Sequence, residues 1–222
     1  MYLIGIDDSG RGPLIGPMIL AGVMIKKEDE KELKKLGAKD SKLLFHNQRI
    51  KIGEQIKKQA IKYEIIKIPP KEIDEAVFSK TNLNTLEAKK MAEIINKLND
   101  KNKAIKVIID CPSVNITAWK KKLISFVKYP QNLTIICEHK ADFNHPVVSA
   151  ASILAKVVRE EEVSKLKKEY GNIGSGYPAD PITQQFLKDK GQELRDSGIF
   201  RKSWQTWRHM FPDKKQKTLS DY

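Results

Sequence analysis

Two adjacent carboxylates, Asp7 and Asp8, follow a short apolar run and lead directly into Ser9-Gly-Arg-Gly-Pro13. Further along, Asp110 closes the apolar run that starts at Ile105, and Asp142 follows Leu133-Thr-Ile-Ile-Cys-Glu138 by way of His139-Lys-Ala. Taken singly, each acid reads as a turn or cap residue, because Asp, Ser, Gly and Pro all collect at turns for local reasons. Taken together, the four stand at or just beyond the carboxyl ends of predicted strands, where open α/β sheets build their ligand crevice. Four carboxylates gathered there repel one another unless cations compensate them, and an oxygen-only donor set favours Mg²⁺ or Mn²⁺ over zinc. Two such ions roughly 4 Å apart form the usual clamp for in-line displacement at phosphorus. The chemistry this set suits is therefore metal-assisted cleavage of a phosphodiester.

Three further groups suit a phosphate or sugar. Glycines at positions 10 and 12 let backbone amides approach a ligand closely, and Arg11 between them carries a fork suited to phosphate. Ser149, Ser152, Lys156 and Arg159 recur at three- and four-residue steps, so they share one face of a helix. That face could line a backbone-binding groove, or it could be an ordinary solvated surface with incidental serines. Tyr177 stands between Gly176 and Pro178 in a loop and is expected to be exposed.

The elements that must position these residues are legible from periodicity and punctuation. Strands are expected over Met1 to Asp7, Pro17 to Lys26, Ile61 to Ile68, Ile105 to Asp110 and Leu133 to Glu138, the first two forming a hairpin. Helices are expected over Glu28 to Leu36, with Gly37 as the stop, and over Asn47 to Ala60, Lys71 to Phe78, Asn84 to Leu98, Trp119 to Val127, Pro146 to about Tyr170 and Ile182 to Lys190. Lys39-Asp-Ser-Lys-Leu-Leu reads as a polar loop, and the residues from Lys214 as a frayed basic tail. Strand, helix, strand spacing in the middle of the chain predicts parallel pairing through a right-handed crossover. Since successive strand residues face opposite ways, Asp7 and Asp8 can share a site only if the chain twists at the strand end.

Composition narrows the partner. The 222 residues carry 41 basic against 28 acidic side chains, a formal charge of +13, which favours a polyanion over a neutral metabolite. No apolar run approaches the roughly 20 residues of a spanning helix, and Met1 leads into a strand with no targeting pattern, so a cytoplasmic protein that engages no membrane is expected. Cys111 and Cys137 make no metal-binding spacing and no disulfide framework. Each reads most simply as a small buried residue, although they could pair if the two strand ends are neighbours.

Eight ordered blocks carry a resemblance that covers nearly the whole chain: Gly5-Ile-Asp-Asp-Ser-Gly-Arg-Gly-Pro13 with Gly16-Pro17, Asp40-Ser-Lys42, Asn84 to Lys90, Val107 to Asp110, His139-Lys-Ala-Asp142, Val148 to Lys156, Gly174-Ser-Gly-Tyr-Pro178 and Arg201-Lys-Ser-Trp204. In these the sequence resembles the ribonuclease HII family in its archaeal form. The resemblance implies an α/β fold, a ribonuclease H-like mixed five-stranded sheet flanked by helices, with residues 1–170 as the catalytic domain and 171–222 as a helical C-terminal region completing the substrate groove. It also implies metal-dependent cleavage, with Mg²⁺ or Mn²⁺, of the RNA strand of RNA/DNA hybrids and of DNA duplexes carrying embedded ribonucleotides. The cut falls on the 5′ side of a ribonucleotide and leaves 3′-hydroxyl and 5′-phosphate ends.

By position, Asp7, Asp8, Asp110 and Asp142 match the catalytic, metal-binding acids of that family. Gly10, Arg11 and Gly12 match the turn that reads the ribose 2′-hydroxyl, and Tyr177 the tyrosine that packs on the sugar after the cut. Ser41, Lys42, Ser149, Ser152 and Lys156 fall in blocks expected to contact nucleic acid. One residue departs from the pattern: the second acid of the family is normally glutamate, and Asp8 is a methylene shorter. Two rivals follow from the same residues, a non-catalytic hybrid-binding protein that lost metal binding through Asp8, and a DNA-directed nuclease or integrase. A monomer is expected, since no exposed apolar stripe demands burial.

Overall fold

The computed structural model describes residues 1–36, 46–79 and 81–212. Its strands are β1 (Tyr2–Ser9), β2 (Met18–Lys26), β3 (Lys62–Ile68), β4 (Ile105–Asp110) and β5 (Leu133–Glu138). Its helices are α1 (Glu30–Lys35), α2 (His46–Gln59), α3 (Pro70–Phe78), α4 (Leu83–Leu98), α5 (Ile116–Ile124), α6 (Ala141–Asn144), α7 (Pro146–Tyr170), α8 (Pro181–Lys190) and α9 (Gln205–Met210). The strands form one mixed sheet in the order β3-β2-β1-β4-β5. Strand β1 runs antiparallel to β2 and parallel to β4, and β4 runs parallel to β5 across the α5 crossover.

Alternation along the strands sends apolar side chains to both faces, so both must be covered. Ile4, Ile6, Met18, Leu20, Val107 and Ile109 pack with α3, α4 and α5 in one core, while Leu3, Ile19, Ala21, Val23, Ile25 and Ile108 pack with α1, α2 and α7 in another. A third core joins Leu14 and Ile15, in the loop between β1 and β2, to Ile173, Phe186, Leu187, Phe200 and Trp207 of the C-terminal region. Helix α7 lies against the centre of the sheet because Gly5 has no side chain: a Cβ there would come within 2.3 Å of the Val147 backbone. Proline in the first turn opens α3, α7 and α8, and the Asn82, Asn115 and Asp180 side chains cap α4, α5 and α8 by accepting backbone N–H bonds.

The expected elements form, α5 lying about three residues earlier than expected, and three differences bear on the site. Strand β1 continues two residues beyond Asp7, because Asp8 and Ser9 pair with Leu20 and Ile19 of β2; the first two acids therefore lie inside a strand rather than past its end. Asp142 is not at a strand end but in α6, a single turn too short to show periodicity. Helix α7 is buried nearly all round in its first half, with Ser149 and Ser152 each 1% exposed, so its second face is neither solvated nor a groove at those positions. Cys111 and Cys137 are free thiols, and burial pushes the Cys137 thiol up to about 12. The helix stop at Gly37, the polar loop with Ser41 and Lys42, and the tail from Lys214 lie outside the described residues.

Candidate active site and nucleic-acid groove

The acids are set by strand register. Asp7 follows Leu3 and Gly5 to the α7 side of the sheet, and Asp8 follows Ile4 and Ile6 to the α4 side. The Asp8 amide donates to Asp7 Oδ1 at 2.7 Å, tying the two residues at the turn of the pleat. On the neighbouring parallel strand, Ile109 pairs with Ile6, which puts Asp110 beside Asp7. Asp110 Oδ1 accepts the Ala141 amide at 3.0 Å, so the same acid anchors the start of α6 and with it Asp142. Asp142 lines a cavity of about 120 Å³ together with Lys34, Phe143 and Ser149.

Negative charge is concentrated here. Burial, then the negative charges of Asp8 and Asp110, hold the Asp7 carboxyl well above the usual carboxylate range, against the lowering effect of the Ser152 hydroxyl. Asp8 is pushed up to about 7 by burial and by Glu87, with Asp110 adding to the repulsion and Arg11 and Arg201 opposing it. Such a crowded, all-oxygen set suits a hard divalent cation. Among the described residues no three of these groups stand close enough to chelate one ion alone.

Beside the acids, the turn from Gly10 to Gly12 is held by the other end of the chain. Gly10 adopts φ +80, a conformation that disfavours any side chain. Arg201, fully buried, donates from Nη2 to the Gly10 carbonyl at 2.6 Å, from Nη1 to that of Arg11 at 2.7 Å, and from Nε and Nη2 to that of Gly16. Trp204 Nε1 donates to the Gly12 carbonyl at 2.9 Å. In a trans peptide C=O and N–H point opposite ways. With the Gly10 and Arg11 carbonyls pulled inward, the Arg11 and Gly12 amides point outward, and Gly12 is exposed. Tyr177 stands against this turn: a Cβ on Gly12 would lie 3.4 Å from its ring.

Comparison with known proteins then decides the family, because the model of the family Ribonuclease HII matches residues 4–207. The chain belongs to the ribonuclease HII family. It is 41% identical to the ribonuclease HII of Methanocaldococcus jannaschii over 99% of both chains. Its structure superposes on the crystal structure of the ribonuclease H2 from Pyrococcus horikoshii OT3 with TM-score 0.85 and 36% identity, covering 95% of this chain and 97% of that one. It superposes on the ribonuclease HII of Archaeoglobus fulgidus, solved as a PCNA complex, with TM-score 0.81 and 36% identity, covering 99% of this chain and 100% of that one. Ribonuclease HII enzymes are endoribonucleases that cleave RNA in RNA/DNA hybrids.

In this chain a groove of about 690 Å³ opens from Ser9 and Tyr177 toward His46, Arg49, Lys156 and Lys167. Of the four helix-face residues singled out in the sequence, Lys156 and Arg159 line this groove. Ser152 sits by Asp7 and Ser149 by Asp142. Arg159, 5% exposed, runs beneath the turn and donates from Nη2 to the Ile15 carbonyl at 2.7 Å. Arg11 also has partners the sequence did not point to: Nε donates to both carboxylate oxygens of Glu87, at 2.9 and 3.2 Å, and Nη2 donates to Asn84 Oδ1 at 2.8 Å.

The residues to which the sequence gave no role are Glu87, Asn84, Arg201, Trp204 and Asp74. Asp74 on α3 accepts from the Lys202 and Ser203 amides and the Ser203 hydroxyl, which fixes the segment carrying Arg201. A signal existed for Glu87, since it shares its helix stripe with Met91, Ile94 and Leu98, and an acid on a core stripe is uncommon enough to ask for a partner. Arg201 stood out only as the first residue of the Arg201-Lys-Ser-Trp204 block, since its partners, the Gly10, Arg11 and Gly16 carbonyls, lie far away in the sequence.

Proposed function

We propose that this protein is a cation-dependent endonuclease. It incises the RNA strand of RNA/DNA hybrids, and DNA duplexes with embedded ribonucleotides, on the 5′ side of the ribonucleotide, leaving 3′-hydroxyl and 5′-phosphate ends. The observation that carries this is the adjacency of two sets: Asp7, Asp8 and Asp110 crowded at one sheet end, and the outward amides of Arg11 and Gly12 with Tyr177 beside them.

Asp7, Asp8, Asp110 and Asp142 would hold Mg²⁺ or Mn²⁺, which when bound supplies a more acidic water and charge stabilisation at phosphorus. The chain's own groups do the rest. Burial and the neighbouring negative charges favour the protonated forms of Asp7 and Asp8, which a bound cation would oppose. The Arg11 and Gly12 amides donate to the ribose 2′-hydroxyl, the group that distinguishes RNA from DNA at one position. Tyr177 packs on the following sugar, and Lys156 with its basic neighbours on α2 and α7 holds the phosphate backbone, a contact that orients without reading sequence. Residues 171–222 complete the groove formed on residues 1–170. The protein acts as a monomer in the cytoplasm.

The test is to offer three duplexes of one sequence, all-DNA, RNA/DNA and DNA with one ribonucleotide, with and without Mg²⁺ or Mn²⁺. Cutting of the second and third only, and only with the ion, is expected. Binding without cutting would make it a hybrid-binding protein, and equal cutting of all three a general nuclease.

A further inference from the structure

We infer that Glu87 is a positioning residue for ribose recognition, acting through the Arg11 side chain; this rests on the ribose-reading role proposed above for the turn. Glu87 is completely buried at the end of α4 that meets the turn, a costly place for a carboxylate unless it is paired. Its partner comes from 76 residues earlier in the chain: Arg11 Nε reaches both Glu87 oxygens, and Asn84, one helical turn before, accepts from Arg11 Nη2. Asn84 is itself pinned, because Trp119 Nε1 donates to its carbonyl at 3.0 Å. The guanidinium is thus gripped in its own plane by two fixed acceptors, the geometry in which Arg is least replaceable.

The grip matters because Arg11 is the residue between the two outward amides. Arg201 fixes the inward carbonyls of Gly10 and Arg11, and Glu87 with Asn84 fixes the side chain between them. The two peptide planes are then held from the backbone and from the side chain at once. Neither the Arg11 nor the Gly12 amide donates a hydrogen bond among the described residues, so both are available to a ligand. Without Glu87 the Arg11 side chain loses its anchor and the planes gain freedom to rock about Gly10 and Gly12. The loss falls on discrimination between ribose and deoxyribose, since the basic groove is lined by neither Glu87 nor Arg11.

The experiment measures dissociation constants, without divalent ion, for two duplexes differing only in one ribonucleotide, and takes their ratio for wild type, Glu87→Ala, Glu87→Gln, Arg11→Ala and the Arg11→Ala/Glu87→Ala double variant. Thermal melting runs in parallel. Glu87→Ala is expected to lower the ratio about 10-fold or more with little change in affinity for the all-DNA duplex. Glu87→Gln, which keeps an acceptor and the shape of the side chain, is expected to recover part of the ratio. The double variant should discriminate no worse than Arg11→Ala alone, because both act through one side chain. A wild-type ratio kept by folded Glu87→Gln and Glu87→Ala, or effects that multiply in the double variant, would overturn the inference while leaving the ribose-reading turn intact. A wild-type ratio of one would overturn the turn's role as well.

Discussion

The Arg201 guanidinium donates to the Gly10 carbonyl at 2.6 Å across 191 residues of sequence, and that bond joins the last segment of the described chain to the first strand's exit. Burial, then neighbouring Arg159, draws the Arg201 side chain down to about 9, which leaves it charged at neutral pH. Lysine keeps the charge but cannot present a planar fork to three carbonyls. Arg201→Lys is expected to cost about 3 kcal/mol through buried carbonyls left without donors, a fall in Tm of roughly 6–12 °C for a chain of this size. Discrimination at a single ribonucleotide should fall with it. Differential scanning calorimetry checks the first effect, and an unchanged Tm would mean the carbonyls find other donors.

Asp7, Asp8 and Glu87 all bind protons more tightly in the folded chain than in the unfolded one. For a raised acid, the folded state holds the extra proton between the two pKa values, so stability falls as pH rises through that window and levels off above it. With Asp8 and Glu87 each at about 7, this contribution is lost between the ordinary carboxylate range and about pH 7 when no divalent ion is bound. A cation competes with those protons, so Mg²⁺ or Mn²⁺ should raise Tm more at roughly pH 8 than at roughly pH 5.5. Asp110→Asn relieves the same repulsion and should raise the metal-free Tm, yet lower cleavage at least about 10²-fold, the scale of losing one well-placed electrostatic group. Near-normal cleavage by Asp110→Asn would remove it from the site.

The resemblance implies a glutamate where this chain has Asp8, whose carboxyl is pushed up by burial and then by Glu87, with Arg11 opposing. An aspartate falls about one C–C bond, roughly 1.5 Å, short of a glutamate's reach, and Mg²⁺ tolerates imperfect octahedral geometry poorly. The protein is expected to work relatively better with Mn²⁺, and Asp8→Glu to raise activity in Mg²⁺ more than in Mn²⁺. Cleavage by both proteins in each ion decides it. Lower Mg²⁺ activity in Asp8→Glu would mean the site is already fitted to the shorter acid.

Lys156 lines the groove while Tyr177 stands at Gly12, so the two should separate affinity from discrimination. Lys156→Ala is expected to weaken binding to all duplexes alike and to flatten the salt slope by about 0.9, one phosphate contact. Tyr177→Ala should slow cleavage at an isolated ribonucleotide more than within a long RNA tract. Equal slowing on both substrates, measured as kcat/KM, would deny Tyr177 a role at the junction.

What the sequence disclosed follows from where the information is local. The five strands and the long helices are written in apolar periodicity, and the acids at Asp7, Asp8 and Asp110 stand out because each interrupts such a run. Asp142 was legible as a candidate but not as part of α6, a four-residue helix with no period to read. The surroundings of Ser149, Ser152 and Arg11 were not legible, because they depend on what packs against them: α7 closes on the sheet at Gly5 and buries both serines, and Glu87 and Asn84 accept from the Arg11 guanidinium. The role of Arg201 was hidden for the same reason, its carbonyl partners lying at the opposite end of the chain.

The most direct test maps the products of a DNA duplex carrying one ribonucleotide at nucleotide resolution, in Mg²⁺ and in Mn²⁺. An acid-lined cation site beside a 2′-hydroxyl that is bound rather than used as nucleophile predicts one cut on the 5′ side of the ribonucleotide, with 3′-hydroxyl and 5′-phosphate ends, abolished by a chelator and by replacing the ribonucleotide with its deoxy form. A cut on the 3′ side leaving a cyclic phosphate, or a cut that survives the deoxy replacement, would contradict it.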